Sequence, residues 1–136
     1  MWVFLDANSL FSTAKSDGAV RHMLRLLLEG GHECVADAYV LAEARRNLAA
    51  KGHDALDVLE ALTEQVRVAP SAHGGVPEAL LDWLPDKDRP VLAAATRLDC
   101  NALVTGDRTH CGVGYGRTFG GVTIYSPRSL IERILD

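Results

Sequence analysis

The chain has 136 residues, of which 48% are apolar, 24% charged and 6% aromatic; that length suits one domain over residues 1–136, with a core large enough to stand without staples. Such a composition excludes disorder, collagen and coiled coil as readings of the whole chain, and no uninterrupted apolar run approaches the roughly 20 residues of a membrane helix. The formal net charge of −4 argues on its face against a polyanionic partner, yet from Lys87 to Asp136 there are seven basic and five acidic side chains, so nucleic acid stays among the candidates.

The first element, WVFL at 2–5, is a continuous apolar run ending in Asp6 and reads as a strand buried on both faces. This opening lacks a basic segment and meets an acid at position 6, unlike a secretory signal. Residues 9–30 read as one helix, stopped by Gly30-Gly31. A second strand fits Glu33–Ala36, and a helix follows from about Ala38 to Ala50 with Asp37 as N-cap and Gly52 as stop. A helix from Asp54 to about Gln65 leads into a third strand, Val66–Ala69. SAHGGVP is a loop, Glu78–Leu84 a short helix, and Lys87 to about Leu98 a helix with Pro90 in its first turn. Ala102–Thr105 is a fourth strand, CGVGYGRTFGG at 111–121 a flexible loop, Val122–Tyr125 a fifth strand and Pro127–Leu135 a closing helix. Alternating strands and helices predict an α/β sandwich of three layers, α/β/α, around a mostly parallel five-stranded sheet. Cys34, Cys100 and Cys111 show no CxxC spacing and read as reduced thiols of a cytoplasmic protein.

In an open parallel sheet, ligands gather beyond the carboxyl ends of the strands. Asp6 follows the first strand, and Asp107 follows the fourth after one glycine. Crossover helices run back along the sheet, so their N-termini share that edge. Asp88 opens one such helix, and Glu43 lies in the first two turns of another. Each acid also has a plain structural role open to it: Asp88 as a cap, Glu43 as a solvated helix residue, Asp107 as an Asx-turn former. Asp6 is the hardest to assign that way, because burying a carboxylate at a strand end is costly without a partner. Four such coincidences on one edge point to a site. Carboxylates without clustered His or Cys select Mg²⁺ or Mn²⁺ rather than zinc, and such ions activate water and stabilise charge on a phosphate. Asn8 and Thr105 carry neutral oxygens two residues from Asp6 and Asp107 and could orient ligands or waters; turn-forming and strand packing are their structural alternatives.

LDANSLFSTA at 5–14, AEARRNL at 42–48, DRPVLAAA at 88–95 and LVTGD at 103–107 together resemble the four motifs of PIN domains. The resemblance spans nearly the whole chain. It implies a flavodoxin-like sandwich and a metal-dependent ribonuclease of single-stranded RNA, often the VapC-like toxin of a toxin–antitoxin pair, commonly a homodimer. Residue by residue, it places Asp6, Glu43, Asp88 and Asp107 in the acidic quartet as catalytic and metal-binding groups. Asp86 competes for the third position; Asp88 is preferred because it directly precedes the VLAAA helix face. Many members carry another acid soon after the TGD, where this chain has RTHCG, so one metal ion or two both fit. The resemblance makes RNA and a cognate antitoxin the expected partners, with no membrane. Arg45, Arg46, Arg89, Arg108, Arg117 and His110 are candidate phosphate contacts by proximity in sequence; His22, His32, His53 and His73 read as surface residues.

Two other phosphoryl-transfer folds fit poorly. A haloacid-dehalogenase-type phosphatase needs an acid where Asn8 stands and a lysine between Val91 and Gly106, where there is none. A response-regulator receiver needs an aspartate after the third strand, where the chain has Pro70-Ser71. The serious alternative is a PIN-like module that binds RNA or protein without catalysis.

Overall fold

The structure, a computed structural model, describes residues 1–72, 74–106 and 111–136. Six strands, β1 (Trp2–Leu5), β2 (Glu33–Asp37), β3 (Arg67–Ala69), β4 (Ala102–Val104), β5 (Thr118–Phe119) and β6 (Val122–Tyr125), form one sheet in the order β3-β2-β1-β4-β6-β5. All neighbours pair in parallel except β5 and β6. Val3, Phe4 and Leu5 of β1 and Ala102, Leu103 and Val104 of β4 are all buried, as two strands covered on both faces must be. Helices α1 (Ala7–Lys15), α2 (Ala19–Glu29), α3 (Ala38–Lys51), α4 (Leu56–Thr63), α5 (Arg89–Arg97) and α6 (Pro127–Leu135) flank the sheet. Helix α1 packs against α3 and α4, and α2 against α6. Among the described residues no helix is long and apolar enough to cross a membrane.

The expected α/β sandwich is present, with three differences. The sheet has six strands instead of five, because the glycine-rich segment is not wholly loop. Gly120 and Gly121 have φ of 56° and 85°, the pair of positive values that a tight hairpin turn requires, and they fold Thr118–Phe119 back onto β6. The helix expected over 9–30 is two helices. Ser16 is extended (φ −150°, ψ 154°), and Arg21 of α2 donates to the carbonyls of Thr13 and Ala14 at 2.8 and 3.2 Å. Those bonds satisfy acceptors that the end of α1 would otherwise leave open. The short helix expected over Glu78–Leu84 is a single 3-10 turn, Glu78–Leu80.

The order of the sheet also sets where a ligand can go. From β1 the chain moves outward to β2 and β3, then returns to place β4 on the other side of β1 and continues to β6. Successive crossovers therefore diverge between β1 and β4, and a crevice opens at their carboxyl ends.

Candidate active site

Asp6 closes β1 and starts α1. Its backbone is extended (φ −78°, ψ 174°), and its Oδ1 accepts from the Ser9 amide at 2.8 Å. This is a helix cap, which moves the start of α1 to Ala7, two residues earlier than the apolar pattern suggests. The cap also meets part of the cost of burying a carboxylate that is only 8% exposed.

A cleft of about 220 Å³ opens beside it, and the carboxylates of Asp6, Glu43 and Asp88 all line it. Glu43 comes from the second turn of α3 and is half-buried. Asp88 stands at the N-terminus of α5, but its side chain makes no cap hydrogen bond there, so capping does not account for it. Asp86 lies apart: it is exposed, pairs with Arg89 at 3.0 Å and does not line the cleft. Asn8 and Thr105 do line it, Asn8 exposed and Thr105 at 1% exposure. The Thr105 amide donates to the Tyr125 carbonyl and its carbonyl accepts from the Tyr115 hydroxyl, which fixes its backbone at the end of β4. Asp107, Arg108, His110 and His73 lie outside the described residues.

Two residues not singled out in the motif reading, Asn47 and Lys87, also line this cleft, and Tyr39 bonds to one of them. Asn47 lies one helical turn beyond Glu43, at the i+4 spacing that puts both side chains on one face of α3; that spacing was readable. Lys87 lines the cleft from the turn before α5. Tyr39, one turn before Glu43, donates its hydroxyl to the Lys87 carbonyl at 3.2 Å. Burial, then the neighbouring charges of Glu43 and Asp88, push the Tyr39 phenol above its ordinary pKa, with Arg46 acting the other way. The other arginines proposed as phosphate contacts are engaged away from the cleft. Arg45 holds Glu60 at 2.8 Å, Arg89 holds Asp86 and the carbonyls of Leu84 and Asp82, and Arg117 lies over the Phe119 ring.

The donor set is oxygen-rich and suits a hard divalent ion. Among the described residues no three His, Cys, Asp or Glu side chains come together closely enough to form a metal cage. Mg²⁺ does not require one, because it keeps several waters and commonly binds through one or two carboxylates.

A PIN-domain sequence profile matches residues 2–109. The chain belongs to the PIN-domain family. Several solved structures share the fold. VapBC2 from Rickettsia felis, bound to a DNA fragment from its promoter, superposes with a TM-score of 0.68 at 14% identity, over 93% of this chain and 98% of that one. Mycobacterium tuberculosis VapC20, described as a toxin that cleaves the sarcin-ricin loop, gives 0.60 at 16%, over 86% and 98%. FitAB bound to a DNA fragment gives 0.57 at 17%, over 92% and 94%. No curated protein matches the chain. In this PIN domain the cleft lies at the carboxyl ends of β1 and β4, and three of the four motif acids reach it from separate elements.

Proposed function

We propose that this PIN domain is a Mg²⁺- or Mn²⁺-dependent endoribonuclease of single-stranded RNA, acting as the toxin of a toxin–antitoxin pair. The observation that carries the reading is the meeting of Asp6, Glu43 and Asp88 in one cleft, from positions remote in sequence. Asp107, two residues beyond Thr105, is proposed as the fourth acid on the strength of its motif. The toxin assignment draws on the fold shared with VapC20 and with the VapBC2 and FitAB assemblies. The same assemblies motivate an antitoxin partner, and the motif resemblance motivates a homodimer.

Asp6, Glu43 and Asp88, with Asp107, would hold the cation. When bound, the ion supplies an activated water and charge stabilisation on the phosphate. The protein supplies orientation. The Ser9 amide fixes the Asp6 carboxylate before any ligand arrives, and helix α3 presents Glu43 and Asn47 together. Asn8 and Asn47 offer amides that can donate to phosphate oxygens or to a base edge. An unpaired strand offers its bases and phosphates to such an open cleft more readily than a duplex does.

The test is cleavage of single-stranded RNA by purified protein in Mn²⁺, with end-group analysis of the products. Hydrolysis by water leaves a 5′-phosphate and a 3′-hydroxyl and stops in EDTA. Cleavage that persists in EDTA, or 2′,3′-cyclic phosphate ends, would overturn the mechanism. Binding of RNA without cleavage, in protein that takes up no Mn²⁺, would instead establish a non-catalytic PIN module. Light scattering giving a monomer mass would remove the dimer alone.

A further inference from the structure

Among the described residues that line the cleft, Lys87 carries the one positive charge, against the carboxylates of Asp6, Glu43 and Asp88. A phosphodiester approaching three carboxylates is repelled. A divalent ion offsets part of that charge, and Lys87 offsets more of it. The lysine is also built to reach a ligand. The peptide that follows it is held at both ends: the Tyr39 hydroxyl donates to the Lys87 carbonyl at 3.2 Å, and the Asp88 amide donates to the Pro85 carbonyl at 2.9 Å. The Lys87 ammonium is exposed and forms no ion pair among the described residues, whereas Arg25, Arg45, Arg67, Arg89 and Arg128 each pair with a carboxylate. A tethered backbone with an uncommitted ammonium at the rim is an arrangement for meeting a mobile anion.

Building on the nuclease reading above, we propose that Lys87 is a substrate-phosphate contact of this cleft, binding a phosphodiester of the RNA strand next to the one that is cut. Its role is affinity and placement. The bond-breaking step stays with the acids.

The test uses the full chain in four forms: wild type, Lys87→Ala, Lys87→Arg and, as a remote control, Lys51→Ala at the far end of α3. Binding of a fluorescein-labelled oligouridylate is followed by anisotropy across a salt series with Ca²⁺ in place of Mn²⁺. Mn²⁺ binding is measured by calorimetry without RNA, and KM and kcat are measured in Mn²⁺. Loss of one charged contact should weaken RNA binding and raise KM about tenfold. It should also reduce the slope of log K against log salt by about 0.7, the value for one phosphate contact on a single strand. In Lys87→Ala kcat should hold, and Mn²⁺ should bind as well or better, because a neighbouring positive charge has gone. Lys87→Arg should restore RNA affinity. Unchanged affinity and salt slope in Lys87→Ala, matching Lys51→Ala, would overturn the proposal. So would a parallel loss of Mn²⁺ affinity, which would mark Lys87 as a support of the cleft itself. Wild-type protein that binds neither Mn²⁺ nor RNA would overturn the nuclease reading, and the Lys87 contact with it.

Discussion

Asp6 and Asp37 occupy nearly the same local structure and different places in the molecule. Each ends a buried parallel strand, each is followed by alanine, and each caps the next helix, with Oδ1 accepting from Ser9 N–H at 2.8 Å and from Val40 N–H at 3.0 Å. They are 8% and 3% exposed. Yet Asp6 lines the cleft and Asp37 does not. The difference lies in the sheet order. β2 sits between β1 and β3, and the connections from β1 to β2 and from β2 to β3 carry the chain the same way along the sheet. β1 sits where the strand order reverses, so a gap opens at its carboxyl end and not beside β2. Local chemistry supplied two equivalent acids. Topology made one of them available.

The sharpest way to break this comparison is to neutralise each acid while keeping its cap, since asparagine caps about as well as aspartate. Asp6→Asn should lower kcat/KM by on the order of a hundredfold or more, about 2.7 kcal/mol of transition-state stabilisation, while Asp37→Asn should cleave near the wild-type rate. Equal losses in RNA cleavage assays would mean that position in the sheet does not separate the two.

Metal binding gives the next effect. At a hundredfold excess over its dissociation constant, Mn²⁺ should stabilise wild type and Asp37→Asn by about 2.7 kcal/mol, or roughly 8–10 °C in melting temperature for a chain of this size. Asp6→Asn should shift much less, and melts with and without EDTA read the difference.

Removing the caps outright reverses the ranking. Asp37→Ala should cost about 1 kcal/mol. Asp6→Ala should cost less in EDTA, because losing that charge also relieves repulsion with Glu43 and Asp88. Denaturant titrations that rank the two the other way would remove the claim of repulsion in the metal-free cleft.

Smaller effects report on charge around the cleft. The raised Tyr39 pKa favours the neutral phenol in the fold, so its stabilising contribution is present below pH 10 and lost as pH rises through the folded value. Burial is the largest cause and Glu43 the next, so Glu43→Gln should move the Tyr39 titration down toward 10, as read by phenolate absorbance against Tyr39→Phe. Well away from the cleft, the Arg45 hydrogen bond lowers the Glu60 pKa; that pair contributes above 4.5, and its contribution fades as pH falls through the lowered value. Both side chains are exposed, so Arg45→Ala should cost only about 0.3 kcal/mol at neutral pH, checked by denaturant melts.

Much of this was readable in the chain. The apolar run before Asp6, the Asp37 cap, the Gly52 stop and Pro90 in the first turn of α5 all agree with the structure, because each rests on local chemistry. The break between α1 and α2 was written as Ser16-Asp17-Gly18, but the long apolar face on either side masked it. Strand β5 was hidden in a segment whose glycines suggested looseness, although Gly120-Gly121 between Phe119 and Val122 is a hairpin signal. The motif acids of the described cleft were legible because each stands in a short local motif, at a strand end or in the first turns of a helix. Lys87 was not, since its place depends on the turn from Pro85 to Asp88 and on Tyr39 reaching across from α3. Of the basic residues chosen by proximity in sequence, Arg45, Arg89 and Arg117 are engaged elsewhere: a neighbour along the chain can face a different groove, as Arg89 does.

The hairpin bears on how this protein can fail. Phe119 of β5 stacks on Trp83 at 4.7 Å, and a Cβ at Gly114 would run into the Trp83 ring. Leu84, next to Trp83, and Ile124 of β6 form part of the cleft wall. A side chain at Gly114 would therefore push on that wall without touching a single charge. Cells selected to survive expression of an active nuclease should carry lesions in two groups: acids at the cleft, and glycines with no chemistry of their own that hold the wall behind it.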